Sequence, residues 1–549
     1  MSEDILLNIF LHCLGATPRI WPILVSVCQQ WRQIIFSSPL SLNLRLYCTY
    51  GTPVLKSLDC WPAFPIILEY GGVPNLDPPT PQDDENIITA LMQSDRVSSI
   101  SLTVTCSLLG KLSTITEPFS ELEEMTVLSP DSIQLTLPSN FRWGPRLRTL
   151  RSTAIAFPSC PQLLSPCHNL VELQLHEIPR AGYFSPEAFA NALSGMTQLQ
   201  TVSFHLLSFP RRRSFLSLPP PPDERILLPA LTRLKYHGIS KYLDTLAARI
   251  DAPRLGDIDI TFFSQPTMDA SQLGRFIERI GLQAPLSRAD VQISAHAISI
   301  SFTNASTSSP LRLQISCKQL DWQLSCMAQV CHQFSPFLFR VDNLVIDTIH
   351  PSRGQDDMVG EHWSELIFSF DGARDCLVAD ELTTEILCAL GRADGGHTTQ
   401  PVLPALRHLH VENAMRMDEP SWDGLLLFIN SRSLSGRPVQ VNVPLSRCHI
   451  CHFSFRHQTE LELHQAEEHP SRTMCLYCAD NECSPGYEDL FREHLKSEHP
   501  EVARKDEHIS NPFLGPLQLV RLVNRHSFLQ KPDIVVTDLS HNHHNNQQF

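Results

Sequence analysis

Four cysteine and histidine residues near the carboxyl terminus have the spacing of a metal site. The pattern is Cys448-x2-Cys451-x12-His464-x4-His469. Two thiolates on a hairpin and two imidazoles about one helical turn apart can converge on a tetrahedral Zn²⁺ ion. A segment of about 25 residues has too small a core to fold alone, so metal binding would supply its folding free energy. The pattern therefore predicts a closed structural zinc site.

A second copy of this pattern follows with a longer central spacing. It reads Cys475-x2-Cys478-x15-His494-x4-His499, and Cys483 lies inside the longer loop as a spare thiolate ligand. We predict a second Zn²⁺ site on these four residues. Histidines and cysteines elsewhere in the chain show no comparable spacing.

Both copies resemble the Cys₂His₂ (C2H2-type) zinc-finger family, which has a ββα fold. The first copy also carries the two apolar core residues of that fold, Phe455 and Leu461. The resemblance predicts tandem fingers over residues 445–500, with the first finger over 448–469 and the second over 475–499.

Nucleic-acid reading is an alternative role for these fingers, and the residues disfavour it. By the family's pattern the base-reading positions of the first helix are His457, Glu460 and Leu463, which lack the Arg, Asn and Gln that pair with guanine and adenine. Residues 448–499 hold four Lys/Arg and ten Asp/Glu, which phosphate would repel. We therefore expect protein binding or a purely structural role.

Residues 1–50 predict a small helical module. Apolar residues recur at helical spacing in two stretches, which Gly15 and Pro18 separate. A core this small usually needs a partner surface or the domain behind it. The apolar residues of the two stretches include Ile5, Leu6, Ile9, Phe10, Leu24, Val27 and Trp31.

We call residues 1–50 the head. Its sequence resembles an F-box over Asp4–Phe10 and Val25–Ile34, including a Val-Cys-x-x-Trp-Arg run. Where F-boxes usually begin with Leu-Pro, this chain has Met1-Ser2. The resemblance implies that the head binds the small adaptor subunit of cullin–RING ubiquitin ligases and that Trp31 fills its core. A helical cap on the following domain is the alternative. The implied adaptor contacts are Ile5, Leu6, Ile9, Phe10, Leu24 and Val27.

The middle of the chain repeats one short strand pattern, in which apolar residues stand at the first, fourth and sixth positions. The last three positions alternate, so their apolar side chains share one face of a strand. The first six copies are separated by 25, 23, 29, 32 and 24 residues, close to the roughly 20–29 of leucine-rich repeats. Seven copies start at Leu122, Leu170, Leu199, Leu231, Leu255, Val341 and Leu406, and a weaker copy, without the last apolar residue, starts at Leu147.

Helix-like stretches lie between several of these strands, which predicts an irregular leucine-rich-repeat solenoid over residues 51–440 with loop insertions. Stacked units bury an apolar face that a single unit cannot. An ordinary α/β domain is the alternative. The predicted helices are Asn86–Ser94, Pro186–Met196, Lys241–Ile250, Ser271–Leu282 and Asp380–Ala389.

Other segments interrupt the repeat. Residues 290–302 and 311–317 alternate as a hairpin does, and Val97–Val104 predicts a first strand. Segments rich in proline, glycine and polar residues predict an exposed connector or loops. These are Pro78–Glu85, Pro210–Glu224, His350–Glu361 and Gly391–Gln400.

Length and composition limit the possible classes of protein. A chain of 549 residues is too long for one compact core, and its net charge of −15 argues against a protein built mainly to hold nucleic acid. No apolar run approaches the ~20 residues of a membrane span. The acidic start Met1–Asp4 and the scattered cysteines predict reduced thiols in the cytoplasm, the nucleus or both.

Together these patterns predict an α/β chain with four parts. The F-box resemblance followed by irregular repeats resembles a large fungal family of F-box-like proteins. It implies a non-enzymatic substrate receptor of a ubiquitin ligase, which fits the absence of hydrolase, phosphate-loop and metalloprotease motifs. A zinc-finger nucleic-acid-binding protein and a repeat scaffold unrelated to ubiquitin are the alternatives. The parts are the head (1–50), the repeats (51–440), the fingers (445–500) and a C-terminal helix with a disordered polar tail (501–549).

Overall fold

The chain forms two compact units, each built from strands and helices. One unit comprises Met1–Ser287 with His296–Phe337, and the other comprises Arg288–Ala295 with Leu338–Phe549. The computed structural model describes residues 2–71, 80–130, 135–138, 141–157, 160–208, 224–281, 286–303, 311–348, 361–379, 383–395, 402–412, 419–442, 446–447, 454–455 and 464.

The strands, in chain order, are β1 (Leu46–Thr49), β2 (Ile66–Tyr70), β3 (Val97–Thr103), β4 (Glu124–Leu128), β5 (Leu135–Thr136), β6 (Thr149–Thr153), β7 (Ile155–Ala156), β8 (Glu172–Ile178), β9 (Thr201–Leu206), β10 (Ile226–Leu227), β11 (Arg233–Gly238), β12 (Ile250–Asp251), β13 (Asp257–Phe263), β14 (Arg288–Ser294), β15 (Ala297–Thr303), β16 (Leu311–Ser316), β17 (Asn343–Thr348), β18 (Asp375–Val378), β19 (His408–Val411), β20 (Gln440–Asn442), β21 (Ser446–Arg447) and β22 (Ser454–Phe455).

The helices are α1 (Glu3–Ala16), α2 (Trp21–Val27), α3 (Gln29–Ser37), α4 (Val54–Cys60), α5 (Pro81–Leu91), α6 (Cys106–Leu112), α7 (Cys160–Leu164), α8 (Pro186–Leu193), α9 (Ser240–Ala247), α10 (Ser271–Ile280), α11 (Leu320–Gln333), α12 (Ser335–Leu338), α13 (Glu361–Ile367), α14 (Thr383–Gly395) and α15 (Glu419–Leu434), with short 3₁₀ turns at Pro18–Ile20 and Arg180–Gly182. No helix within the described ranges combines the length and apolar character needed to span a membrane.

The first unit is organised by a parallel sheet in the order β1-β2-β3-β4-β6-β8-β9-β11-β13-β16-β15. All neighbours in this order are parallel except β15 and β16, whose antiparallel pairing confirms the hairpin periodicity predicted there. The fourth and sixth positions of every copy lie on a strand, and equivalent positions of copies on adjacent strands are in register. Leu173 pairs with Val202, Val202 with Leu234, and Leu234 with Ile258. The stacked copies therefore bury one continuous apolar face.

Helices α8, α9 and α10 confirm three predicted repeat helices and are linked from one repeat to the next. Buried Asp244 of α9 accepts hydrogen bonds from the backbone N–H groups of Gln272 (2.6 Å) and Leu273 (3.0 Å) at the start of α10. These amides have no acceptor within their own helix. Burial raises the pKa of the Asp244 carboxyl, and its hydrogen bonds oppose that shift. One repeat thus caps the helix of its neighbour.

The predicted exposed connector Pro78–Glu85 is wrong in its second half, because α5 begins at Pro81. Thr80 caps this helix: its hydroxyl accepts from the Asp83 amide, and the Asp83 carboxylate accepts from the Thr80 amide at 3.0 Å. Asp83 and Asp84 are only 6% and 4% exposed. A capping box with proline in the first turn marks a helix start that a general polar composition conceals.

The second unit has the strand order β14-β17-β18-β19-β20, and all four pairings are parallel. The predicted loop Gly391–Gln400 is wrong in its first half, since α14 continues to Gly395. A side chain at Gly391 would lie 2.6 Å from the carbonyl oxygen of Gly424 in α15. This glycine therefore permits two helices to approach closely and does not end one.

Buried thiols occur in both units. None of the described cysteines is in a disulfide bond, and burial raises the pKa of Cys48 to about 11 and of Cys167 and Cys376 to about 12. These groups stay protonated at neutral pH, so they behave as small apolar core residues.

Candidate functional site

The head places the six predicted adaptor-contact residues in two different environments. Leu6, Phe10 and Leu24 are 2%, 0% and 9% exposed, and the Phe10 ring meets Trp31 edge-on at a centroid distance of 5.0 Å. Their side chains form the core of the head, so the expectation that they contact a partner needs correction. Helical spacing placed them beside exposed residues, but only the contacts among the helices decide which side of each helix is covered.

Four exposed apolar residues of the head form two short stripes. Ile5 and Ile9 of α1 are 52% and 41% exposed, and Ile23 and Val27 of α2 are 64% and 56% exposed. Each pair is four residues apart and therefore shares one face of its helix. Ile23 was missed as a contact candidate, although its spacing from Val27 signals it. Exposed apolar side chains concentrated on so small a module are typical of a binding surface.

Trp21 anchors the head within the first unit. Its side chain is 1% exposed, and its indole N–H donates to the carbonyl oxygen of Arg45 at 2.7 Å. Its ring also meets Trp61 and Phe64 edge-on at 4.9 and 5.4 Å. The segment predicted as a separate head therefore shares a core with residues that follow it, and its last residues form β1, which pairs with β2.

Seven of the eight predicted zinc ligands lie outside the described residues: Cys448, Cys451, His469, Cys475, Cys478, His494 and His499. His464 is described and helical. Strands β21 and β22 pair antiparallel, with Ser446 opposite Phe455 and Arg447 opposite Ser454. Cys448 and Cys451 lie between these two strands in the sequence. Among the described side chains no three could hold a metal ion together. The zinc sites stay predictions.

The other face of the first sheet carries polar side chains in register. One row runs Thr126, Arg151, Gln174, Ser203, Lys235, Asp259 and Arg312 from β4 to β16. Arg151 of this row is bidentate to Glu172, which lies in the row two residues earlier along each strand, and within that earlier row Arg233 lies 2.6 Å from Asp257. Lys235 makes no ion pair within the described ranges. This face is partly exposed and suited to polar contacts with a partner.

Three histidines stand side by side at the carboxyl halves of β8, β9 and β11, and we call His176, His205 and His237 the histidine row. The rings of His176 and His205 are stacked, 4.2 Å apart and within 9° of parallel, and His237 meets His205 edge-on at 5.8 Å. The Ser203 oxygen lies 2.8 Å from Nε2 of His176 and 3.4 Å from Nε2 of His205. The row was not found from the sequence.

Burial lowers the pKa values of all three histidines in the row, and neighbouring groups add to this effect at His205. The pKa of His205 is lowered to about 4, first by burial and then by His176, His237 and Lys235. Burial also lowers the pKa of His237, and it lowers that of His176 against the opposing effect of Glu177. The three imidazoles are therefore neutral at pH 7.

The row predicts that acid destabilises the first unit. The unfolded chain binds a proton at His205 near the ordinary value of 6.5, whereas the folded chain does so only near 4. The free energy of unfolding should therefore fall as the pH drops from 6.5 to 4. His205→Gln should remove part of this loss, on the order of 1–2 kcal/mol because the ring is partly exposed. Urea unfolding at pH 7.5 and 4.5 measures it, and identical pH dependence in both proteins would contradict it.

Comparisons with known proteins add little to this description. No protein-family model matches the chain, and no curated protein matches it. Among solved structures, the chain is similar to the crystal structure of the leucine-rich repeat-containing protein LegL7 from Legionella pneumophila, with 10% identity, over 70% of this chain and 97% of that chain. The TM-score is 0.24, so the two chains superpose poorly as wholes. The repeat interpretation therefore depends on the spacing and register of the strands.

Proposed function

We propose that this chain is a non-enzymatic protein-binding receptor of the leucine-rich-repeat type. The observation that best supports this proposal is the in-register parallel sheet of the first unit. This sheet buries its leucines on one face and leaves rows of polar side chains partly exposed on the other. Side chains held on rigid strands at fixed spacing provide a preorganised binding surface. Stacked repeats commonly use such an extended surface to bind proteins.

The head gives this receptor its second contact. The stripes Ile5–Ile9 and Ile23–Val27 are exposed and apolar, as an F-box-like module would need in order to bind the adaptor subunit of a cullin–RING ubiquitin ligase. The proposed mechanism is proximity: the sheet face holds a target protein while the head holds the ligase, and the chemistry occurs on the partner. Zn²⁺ would stabilise the two fingers, which would extend the surface available to the target.

The adaptor interaction is tested by Ile5→Glu combined with Ile9→Glu. Two charges on the exposed stripe of α1 cannot be buried in an apolar interface without a large desolvation cost, so we expect at least a tenfold loss of adaptor binding. Co-purification of the full-length chain with the adaptor is the measurement. Phe10 is left unchanged because it is 0% exposed, and a charge there would unfold the head.

Leu11→Glu is the matched control for this experiment. Leu11 lies on the same helix and is 40% exposed, but it is two residues from Ile9 and therefore on a different side of the helix. It should bind the adaptor as the unchanged chain does. Undiminished binding by the Ile5/Ile9 variant would refute the adaptor role while leaving the sheet face as a protein-binding surface.

A further inference from the structure

The histidine row belongs to a local concentration of nitrogen donors on the polar face of the first sheet. Lys235 on β11 interacts electrostatically with both His176 and His205. Nε2 of His237 is buried and lacks a hydrogen-bond partner within the described ranges. A buried polar atom without a partner costs free energy unless a ligand or water satisfies it. The cluster therefore has both an unused cation and an unused ring nitrogen.

The backbone beside the row carries a β-bulge, and Ala154, at the equivalent position after β6, shares its positive φ. The β8–β9 register is interrupted between Leu175 and Ile178, and Glu177 within this bulge has a positive φ of 52°. A side-chain-bearing residue in the left-handed region is strained, and strained bulges occur preferentially where a side chain is aimed at a binding site. The bulge directly follows His176, which stacks on His205.

The geometry of the rings disfavours a metal ion as the ligand. A tetrahedral metal site requires at least three protein ligand atoms that converge on one point, and no three His, Cys, Asp or Glu side chains of the described residues are placed to do so. Ser203 lies between the two Nε2 atoms and is 2% exposed. An anion has no such requirement, because several oxygens can accept from neighbouring parallel donors.

We propose that the histidine row and Lys235 bind an acidic group, a carboxylate or a phosphate, carried by a peptide segment of the target protein, with uptake of protons by the histidines. This inference rests on the proposed protein-binding role of the sheet face. An anion placed against the row would offset the mutual repulsion of its charged forms, so each imidazole could protonate and donate a charge-assisted hydrogen bond. Lys235 would place an ammonium group beside the imidazoles.

The charges around the row show that any attraction for an acidic peptide would come from this cluster alone. The groups facing the row are Glu177 on β8 and Lys235 on β11, and Asp259 on β13 pairs in register with Lys235. His237 packs on the ring of Phe263 from β13 at 4.9 Å. The whole chain carries a net charge of −15, which repels acidic peptides at long range. Binding of such a peptide would therefore reflect this cluster and not a general attraction.

Calorimetric titration of the full-length chain with a hexaglutamate peptide and with inorganic phosphate tests the proposal. We expect the peptide to bind about tenfold more tightly at pH 6.0 than at pH 7.5. The bound peptide would raise the pKa of two imidazoles above the lowered values of the free chain, and the protonation of each would strengthen binding by about a factor of three to four. Titration in two buffers of different ionisation enthalpy should show net proton uptake. A phosphoserine-containing peptide, compared with the glutamate peptide, distinguishes the two sources of the acidic group.

Variants separate the roles of the residues. Lys235→Gln should weaken peptide binding about tenfold at both pH values, and His205→Gln with His237→Gln should abolish the pH dependence. Exposed Lys318→Gln and His12→Gln are matched controls and should change neither. Unchanged circular dichroism and melting temperature at pH 7.5 establish that the variants fold. Insensitivity to Lys235→Gln, pH-independent binding, or binding of phosphate without either peptide would overturn the proposal.

These experiments distinguish a failure of the proposed anion site from a failure of the proposed receptor role. Absence of peptide binding together with intact adaptor binding would overturn only the anion site. Loss of the adaptor interaction with intact peptide binding would overturn the ligase role and leave the anion site standing.

Discussion

Cys451→Ser is expected to remove about one equivalent of zinc from the full-length chain and to unfold the first finger. Four protein ligands at the spacing of Cys448, Cys451, His464 and His469 leave no open coordination position, so the site would be structural. Structural zinc contributes roughly 10–16 kcal/mol to such small domains at neutral pH. The loss of one thiolate should therefore abolish folding of this finger at stoichiometric zinc.

Elemental analysis of zinc under reducing conditions at neutral pH measures this effect. The unchanged chain should hold about two equivalents if both fingers form and about one if only the first does. Cys478→Ser is expected to be less severe, because Cys483 lies in the same loop as a spare ligand. Cys60→Ser, at an exposed cysteine outside both patterns, is the control. Zero bound zinc in the unchanged chain would show that the most specific motif of the sequence has another role.

Phe204→Ala is expected to lower the free energy of unfolding of the first unit by about 3–5 kcal/mol. Phe204 lies on β9, is 2% exposed, and stands at the centre of an aromatic cluster. Truncation would leave a cavity that these rigid rings cannot fill by collapsing. Its ring lies at centroid distances of 5.5, 5.1, 6.1 and 5.2 Å from Phe184, Phe189, Tyr236 and Tyr242.

Hydrogen exchange of the backbone amides of β8, β9 and β11 is the appropriate measurement, because a repeat array need not unfold in a single step. Protection should fall in these strands first and less in repeats further along the sheet. Leu207→Ala, three residues away at a side chain 54% exposed, is the control and should change stability little. Equal effects of the two substitutions would contradict the assignment of Phe204 to the core.

The repeat strands were predictable because their signal is local. Strict alternation after a leading leucine, as in Leu170–Leu175, places apolar side chains on one side of any extended backbone, whatever its neighbours are. The hairpin at 297–316 followed from the same signal. The start of α5 was missed because a capping box in a polar stretch resembles a turn until its hydrogen bonds are seen.

The tertiary structure alone decided which predicted residues are accessible and which distant residues meet. Ile9 and Phe10 are adjacent and equally apolar, yet one is 41% exposed and the other 0%, because the ring of Phe10 lies against Trp31. His176, His205 and His237 are 29 and 32 residues apart, the same separations as the repeat copies that start at Leu170, Leu199 and Leu231. Parallel pairing of β8, β9 and β11 brings them together, since the register of a sheet is set by the whole buried face of each strand. The sequence by itself determined the repeat strands, their apolar faces and the spacing of the predicted zinc ligands, whereas long-range pairing decided the exposed stripes of the head and the histidine row.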